Sequence, residues 1–136
     1  MNWLKKLLGR TPTEPPVTAM FRKEAGGVYV LRIGGVLNKA TLDNVQSVAR
    51  HNIEVGAKDL KVLLILAGFC GWKRGDDWGD LDFFSRYEEF IAKIAVVGEP
   101  RWEAETLLFL GAGRRRSPVR YFPPHYEGRA RAWLAE

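Results

Sequence analysis

The residues of this chain that could do chemistry are few and scattered. Cys70 is the single cysteine, and His51 and His125 are the two histidines. A Cys70–His125 nucleophilic pair would need a third group to orient the imidazole and amide donors for an oxyanion, and the sequence marks out neither. A lone cysteine beside an aliphatic run is ordinarily a small buried hydrophobe. His51, in the middle of a predicted helix, has still less to recommend it. Zinc would need carboxylates to complete a ligand set, and no supporting spacing is present. No metal, no cofactor and no catalytic residue are therefore expected.

Two further clusters have chemistry-bearing types. Asp76, Asp77, Asp80 and Asp82 could hold a divalent ion or supply an acid–base pair. They also stand ahead of a predicted helix, whose dipole favours acidic residues at its start, and Lys73 and Arg74 neutralise part of their charge. That structural role is preferred. The segment GAGRRRS has the spaced glycines of a phosphate loop, yet it follows a helix and precedes a strand, the reverse of the context such a loop needs. It reads as a helix C-cap with basic last-turn residues. Arg114, Arg115, Arg116 and Arg120 lack the interleaved aromatics of a nucleic-acid surface, so no nucleic-acid partner is expected.

Aromatic residues are the better supplied resource, with five tryptophans in 136 residues. Ligands of open α/β sheets gather beyond the carboxyl ends of the parallel strands, where loops converge. That edge is expected to collect Phe69, Cys70 and Trp72 after the third strand, Trp78 in the following loop, Glu99 and Trp102 after the fourth, and Pro123 to Tyr126 after the fifth. These side chains fit either of two roles: capping the core where helices meet the sheet, or lining a site for an apolar ligand or a protein partner. The candidate site is Phe69, Cys70, Trp72, Trp78, Trp102 and Tyr126.

The elements that must position them follow from periodicity. VTAMFRK at 17–23 and GVYVLRI at 27–33 are β-rich runs around a short glycine-containing connection, a hairpin. Leu42, Val45, Val48, Ala49 and Ile53 recur at helical spacing, with Thr41 as the expected cap and Gly56 as the stop. Val62 to Leu66 are five consecutive aliphatics, the pattern of a central strand covered on both faces. A glycine-rich loop around Gly68, Gly71 and Gly75 leads to a helix near 80–91. KIAVVG at 93–98 is another strand, EPRWEAETLLFLGAG a third helix, SPVRYF at 117–122 a fifth strand and HYEGRARAWLAE a closing helix that turns Ala130, Trp133 and Leu134 to one side. The order implies an α/β fold with a mixed, mostly parallel five-stranded sheet, an N-terminal β-hairpin and about four helices.

Length and composition allow one domain, at 17–136, since 46% hydrophobic and 27% charged residues are the balance of a folded globular chain. No apolar run approaches the roughly 20 residues of a membrane-spanning helix. The opening NWLKKLLGR is too short in its apolar part for a secretory signal, so the cytoplasm is the expected compartment. Residues 1–16 are expected to form an amphipathic segment followed by the linker TPTEPP. If helical, the segment puts Trp3, Leu4, Leu7 and Leu8 on one side and Lys5, Lys6 and Arg10 around the other. It could serve weak contact at the inner membrane face, or docking onto its own domain or onto a partner subunit, a second copy of the chain included.

The stretches LLILAGFCGW, DLDFF, KIAVVGEPRWE and VRYF followed by RARAWL resemble the SpoIIAA-like proteins, relatives of STAS domains and of CRAL-TRIO lipid-binding domains. The resemblance covers about residues 17–135 and implies a β-α superhelix around a mixed sheet whose first strand runs antiparallel. It also implies a binding or regulatory module, with a small apolar or lipid-like ligand or a protein as partner. Relatives that antagonise anti-sigma factors carry an Asp-x-Ser-Gly phosphorylation motif after the third strand. Here that loop reads AGFCGWKRGDDW, with no serine or threonine, so that switch is absent from this place.

Overall fold

A computed structural model describes residues 15–78 and 87–136. The predicted hairpin forms as β1 (Thr18–Glu24) and β2 (Val28–Leu37), joined by a tight turn in which Gly26 and Gly27 take positive φ. Then come α1 (Lys39–Glu54), β3 (Leu60–Trp72), β4 (Ile91–Val97), α2 (Glu103–Phe109), β5 (Val119–Phe122) and α3 (Glu127–Ala135), with 3-10 turns at 88–90, 100–102 and 124–126. The sheet order is β1-β2-β3-β4-β5, with β1 antiparallel to β2 and every later pair parallel. β3 is thus central, as its aliphatic run predicts. Most of the helix expected near 80–91, with Asp80 and Asp82, lies outside the described residues, as does the segment holding Trp3, Leu4, Lys5, Lys6, Leu7 and Leu8. At the end of that predicted helix, 88–90 form a 3-10 turn and Ile91 already opens β4.

When parallel strands follow one another in order, right-handed crossovers put their helices on one side of the sheet. α1 and α2 share that side, where Ile53 and Leu110 pack with Tyr29, Ile33, Leu64 and Val96. α3 follows the last strand and covers the opposite side, where Ala130 and Leu134 pack on Val30, Leu63, Ile65, Ala95, Val97 and Phe122. The aliphatic run of β3 divides accordingly, Val62, Leu64 and Leu66 facing one layer and Leu63 and Ile65 the other. Ala95 and Ala130 are both fully buried, and two residues this small let α3 lie close on β4. Lys93 Nζ donates to the carbonyls of Trp133 (2.8 Å) and Glu136 (3.1 Å), satisfying the end of α3. In its first turns, Arg131 bridges Glu127 and Glu24, and the bonds that Glu24 accepts from Arg131 and then Arg22 hold its carboxyl below its usual range.

The start of α1 differs from the prediction. Asn38, not Thr41, is the N-cap, and its side chain accepts from the Thr41 backbone amide at 2.8 Å. Thr41 is thereby the third helical residue. The Lys39 amide donates to Asp76 Oδ2 at 2.8 Å, so a carboxylate of the acidic cluster closes the first turn of a helix 37 residues earlier. Gly56 follows the helix with φ 109°, as expected of a stop. Leu42 and Ile53 are buried, but Val48 is 43% exposed because it falls at the margin of the apolar stripe.

Candidate functional site

The site is built on an irregularity of β3. The residues expected to form a glycine-rich loop from Gly68 onward continue the strand to Trp72, and only Gly75 lies in a turn. Ile33 of β2 pairs with Leu66, Gly35 with Phe69 and Leu37 with Trp72. β3 twice spends three residues against two of its neighbour, and each slip is a bulge with a glycine at positive φ, Gly68 at 65° and Gly71 at 99°. Strict alternation would turn Phe69 away from Leu64 and Leu66. One bulge brings it back to their side, and the second does the same for Trp72 while leaving Cys70 exposed.

α2 and the residues that cap it supply the facing side chains. Trp102, Thr106, Phe109 and Leu110 stand at helical spacing i, i+4, i+7 and i+8 and so share one face. Phe69 and Trp72 meet edge to face at 5.1 Å between centroids, Phe69 and Trp102 at 5.2 Å, and Trp72 and Trp102 at 6.2 Å. Phe109 lies 5.7 Å from Trp72 and 6.0 Å from Trp78, whose Nε1 donates to the Lys73 carbonyl. Four of the six sequence candidates therefore come together. Tyr126 is 42% exposed beneath the Arg129 guanidinium, and Cys70 is exposed with its thiol toward the Gly68 carbonyl. His125 is exposed as well, while His51 lies on the outer face of α1.

The cluster closes one end of an apolar cavity of about 120 Å³ between the sheet and the α1–α2 layer. It runs from Leu60 and Ile91 at the amino ends of the strands to Phe69 and Trp72 at the carboxyl ends, with Leu42, Val45 and Ala49 of α1 as its roof. Charged side chains are absent from its described lining, and the surface it presents is carbon throughout. Sequence reasoning placed a site at the carboxyl edge and missed this interlayer space. The helical spacing of Thr106, Phe109 and Leu110 behind Trp102 was the available signal.

Three buried donors at this end have no hydrogen-bond partner among the described residues: Trp72 Nε1, Trp102 Nε1 and Thr106 Oγ1. Thr106 is 2% exposed. An orphaned buried donor costs roughly 1–3 kcal/mol, so three together at one end of the fold stand out. Among the described residues no group of three or more His, Cys, Asp and Glu is placed to hold a metal ion, and no helix is long and apolar enough to cross a membrane.

Tyr121 borders the site from β5. Its hydroxyl donates to the Glu99 carbonyl at 2.6 Å, and a Cβ on Gly98 would stand 2.6 Å from that hydroxyl. Burial, seconded by the charges of Glu103 and Glu99, pushes the phenol up to about 12. A phenol raised in the folded state contributes stability that is full below its ordinary value of 10.0 and is lost as pH rises from there toward 12. Tyr121→Phe is expected to cost about 0.5–1 kcal/mol at pH 8 through the lost hydrogen bond. Urea midpoints at pH 8 and 11.5 should show the wild-type advantage shrinking at the higher pH, and an unchanged gap refutes the assignment.

A family model described as SpoIIAA-like matches residues 28–135. Among solved structures, an uncharacterized protein from the DUF3478 family with a SpoIIAA-like fold, from Shewanella loihica PV-4, superposes with a TM-score of 0.59 at 12% sequence identity. The match covers 88% of this chain and 94% of that one, and at such identity it concerns the fold alone. No curated protein matches the chain.

Proposed function

Because the chain belongs to the SpoIIAA-like family over residues 28–135, whose domains generally serve as regulatory or binding modules, we propose that it is a non-catalytic module that binds a small apolar ligand between its sheet and the α1–α2 layer. The observation that carries this reading is the cavity of about 120 Å³ with a carbon surface. Native interiors close most such voids, because a wall without neighbours forfeits its dispersion contacts. An engineered cavity of roughly 150 Å³ with similar walls stays dry and takes up benzene. A ligand of about one ring fits this space, and a chain of charged groups does not. Among the described residues the wall offers no carboxylate, histidine, lysine or cysteine to act as general acid, base or nucleophile, which favours binding over turnover.

Ala49 tests the proposal because it lines the cavity from α1 and can grow into it without crossing the sheet. Toluene is expected to bind the wild-type protein saturably, followed by ligand-observed NMR. Ala49→Leu should weaken that binding at least about tenfold while stabilising the fold by about 0.5–2 kcal/mol, the usual return on filling a cavity. No saturable binding of toluene, or equal binding by the Ala49→Leu variant, overturns the reading.

A further inference from the structure

On the α1–α2 side of the sheet, α1 crosses from β2 to β3 and α2 from β4 to β5, whereas β1 joins β2 through a turn and has no crossover helix to cover it. Its face on that side carries Ala19, Phe21 and Lys23. Phe21 packs on the core only in part, and Ala19 and Lys23 are exposed. The neighbouring flank of α1 is uncharged. Along the helix, Lys39, Asp43, Arg50 and Glu54 fall on one flank and Thr41, Val45, Val48 and Asn52 on the other. A right-handed crossover turns the uncharged flank toward β1. There Val48 is 43% exposed, and Val55, just past the helix end, 70%. β1 and α1 thus frame a groove without charge between them, and among the described residues nothing fills it.

We propose that residues 2–10 of the same chain fill this groove as a helix, with Trp3, Leu4, Leu7 and Leu8 facing inward and Lys5, Lys6 and Arg10 facing solvent. The point of departure supports this occupant. The Val36 amide holds the Pro15 carbonyl at the carboxyl end of β2, so the chain ahead of Pro15 leaves beside the start of α1, where the groove begins. β1 runs along the groove from that end, and a segment running the opposite way requires one reversal at 11–14. Four extended residues reach about 13 Å, and packed layers stand about 10 Å apart. A helix over 2–10 is about 14 Å long, within the roughly 23 Å that the 7 residues of β1 span. A helix this short is unstable alone in water and requires a surface. The short tether gives its own groove an effective concentration near millimolar, which favours it over a second copy. Phe21, Val45 and Ala49 line the cavity as well as the groove, so the docked segment walls the cavity on this side.

NMR of the valine methyls in the full chain tests the placement. The Val48 signals, identified by their loss in Val48→Ala, are expected to shift when Leu4→Ser and Leu7→Ser are introduced together, with the Val119 signals on β5 unmoved. Trypsin cleavage after Lys5 and Lys6 should become about tenfold faster in that double variant, and also in Val48→Asp, which alters only the groove. Neither readout depends on a ligand in the cavity. Val48 signals indifferent to the double substitution overturn the proposal. Wild-type Val48 signals that move to the double-variant positions on about a hundredfold dilution overturn it in favour of a second copy. Flotation with anionic lipid vesicles that requires Leu4 and Leu7, with Val48 signals the same in both proteins, overturns it in favour of a membrane surface.

Discussion

Gly35→Ala should cost the fold about 2–4 kcal/mol, measured as the loss of unfolding free energy in urea. Two penalties meet at this residue. Its φ is +69°, a conformation that an L side chain adopts only with strain. Its added Cβ would also stand 2.1 Å from the Pro16 carbonyl oxygen and 2.7 Å from the carbonyl carbon, both backbone atoms that no side-chain rotation can clear. The contact exists because the chain ahead of β1 is strapped across β2: the Val36 amide donates to the Pro15 carbonyl at 3.1 Å. Gly35 is also the residue against which β3 makes its bulges, pairing with Phe69 between the two slips. Pushing the strap away therefore disturbs the register that brings Phe69 and Trp72 to the cavity. Gly26→Ala separates the two penalties, since Gly26 has φ +79° but open space around the new Cβ. It should cost only about 1 kcal/mol. Equal losses at the two glycines would show that the strap is not packed as described.

Leu134→Ala is the second large effect, expected at about 3–5 kcal/mol. Leu134 is 0% exposed and packs with Leu63, Ile65 and Ala95 on the face that α3 covers. Methyl groups removed there leave a void inside a closed wall, so both transfer and cavity terms are lost. Leu42→Ala provides the comparison from the other face. Leu42 is also buried, but it borders the cavity and already lacks neighbours on one side. Its truncation should cost less by about 1 kcal/mol or more. Equilibrium urea unfolding of both variants, with matching m values, decides the matter. A cost at Leu42 equal to that at Leu134 would mean that the α1 side is as closely packed as the α3 side, which would remove the physical basis for a ligand there.

Much of the fold was legible because each element carried its own periodicity. The five aliphatics from Val62 to Leu66 announced a central strand, the apolar stripe from Leu42 to Ile53 a helix, and Ala130 with Leu134 the buried side of α3. The site was legible in part. Phe69, Trp72, Trp78 and Trp102 were recognised as aromatics near one edge, yet Cys70 and Tyr126 were grouped with them although they point elsewhere. Alternation in a strand is a local rule, and two bulges reverse its phase in ways that glycine spacing alone does not reveal. Gly68 and Gly71 read equally well as loop residues, and only pairing with β2 makes them bulges. Asp76 shows the same limit, since it looked toward the helix after it while its carboxylate serves the start of α1.

The sequence by itself determined the five strands, three of the predicted helices, their order and hence the mostly parallel sheet with β3 at its centre, because hydrophobic period and turn residues act over a few neighbours. It also determined what is missing, a serine or threonine in the segment AGFCGW. Tertiary structure alone decided that α1 and α2 leave a space above the sheet, and that Phe69, Trp72 and Trp102 meet edge to face at its end. A cavity is the difference between how closely two layers approach and how much side-chain volume lies between them. That difference belongs to no single segment of the chain.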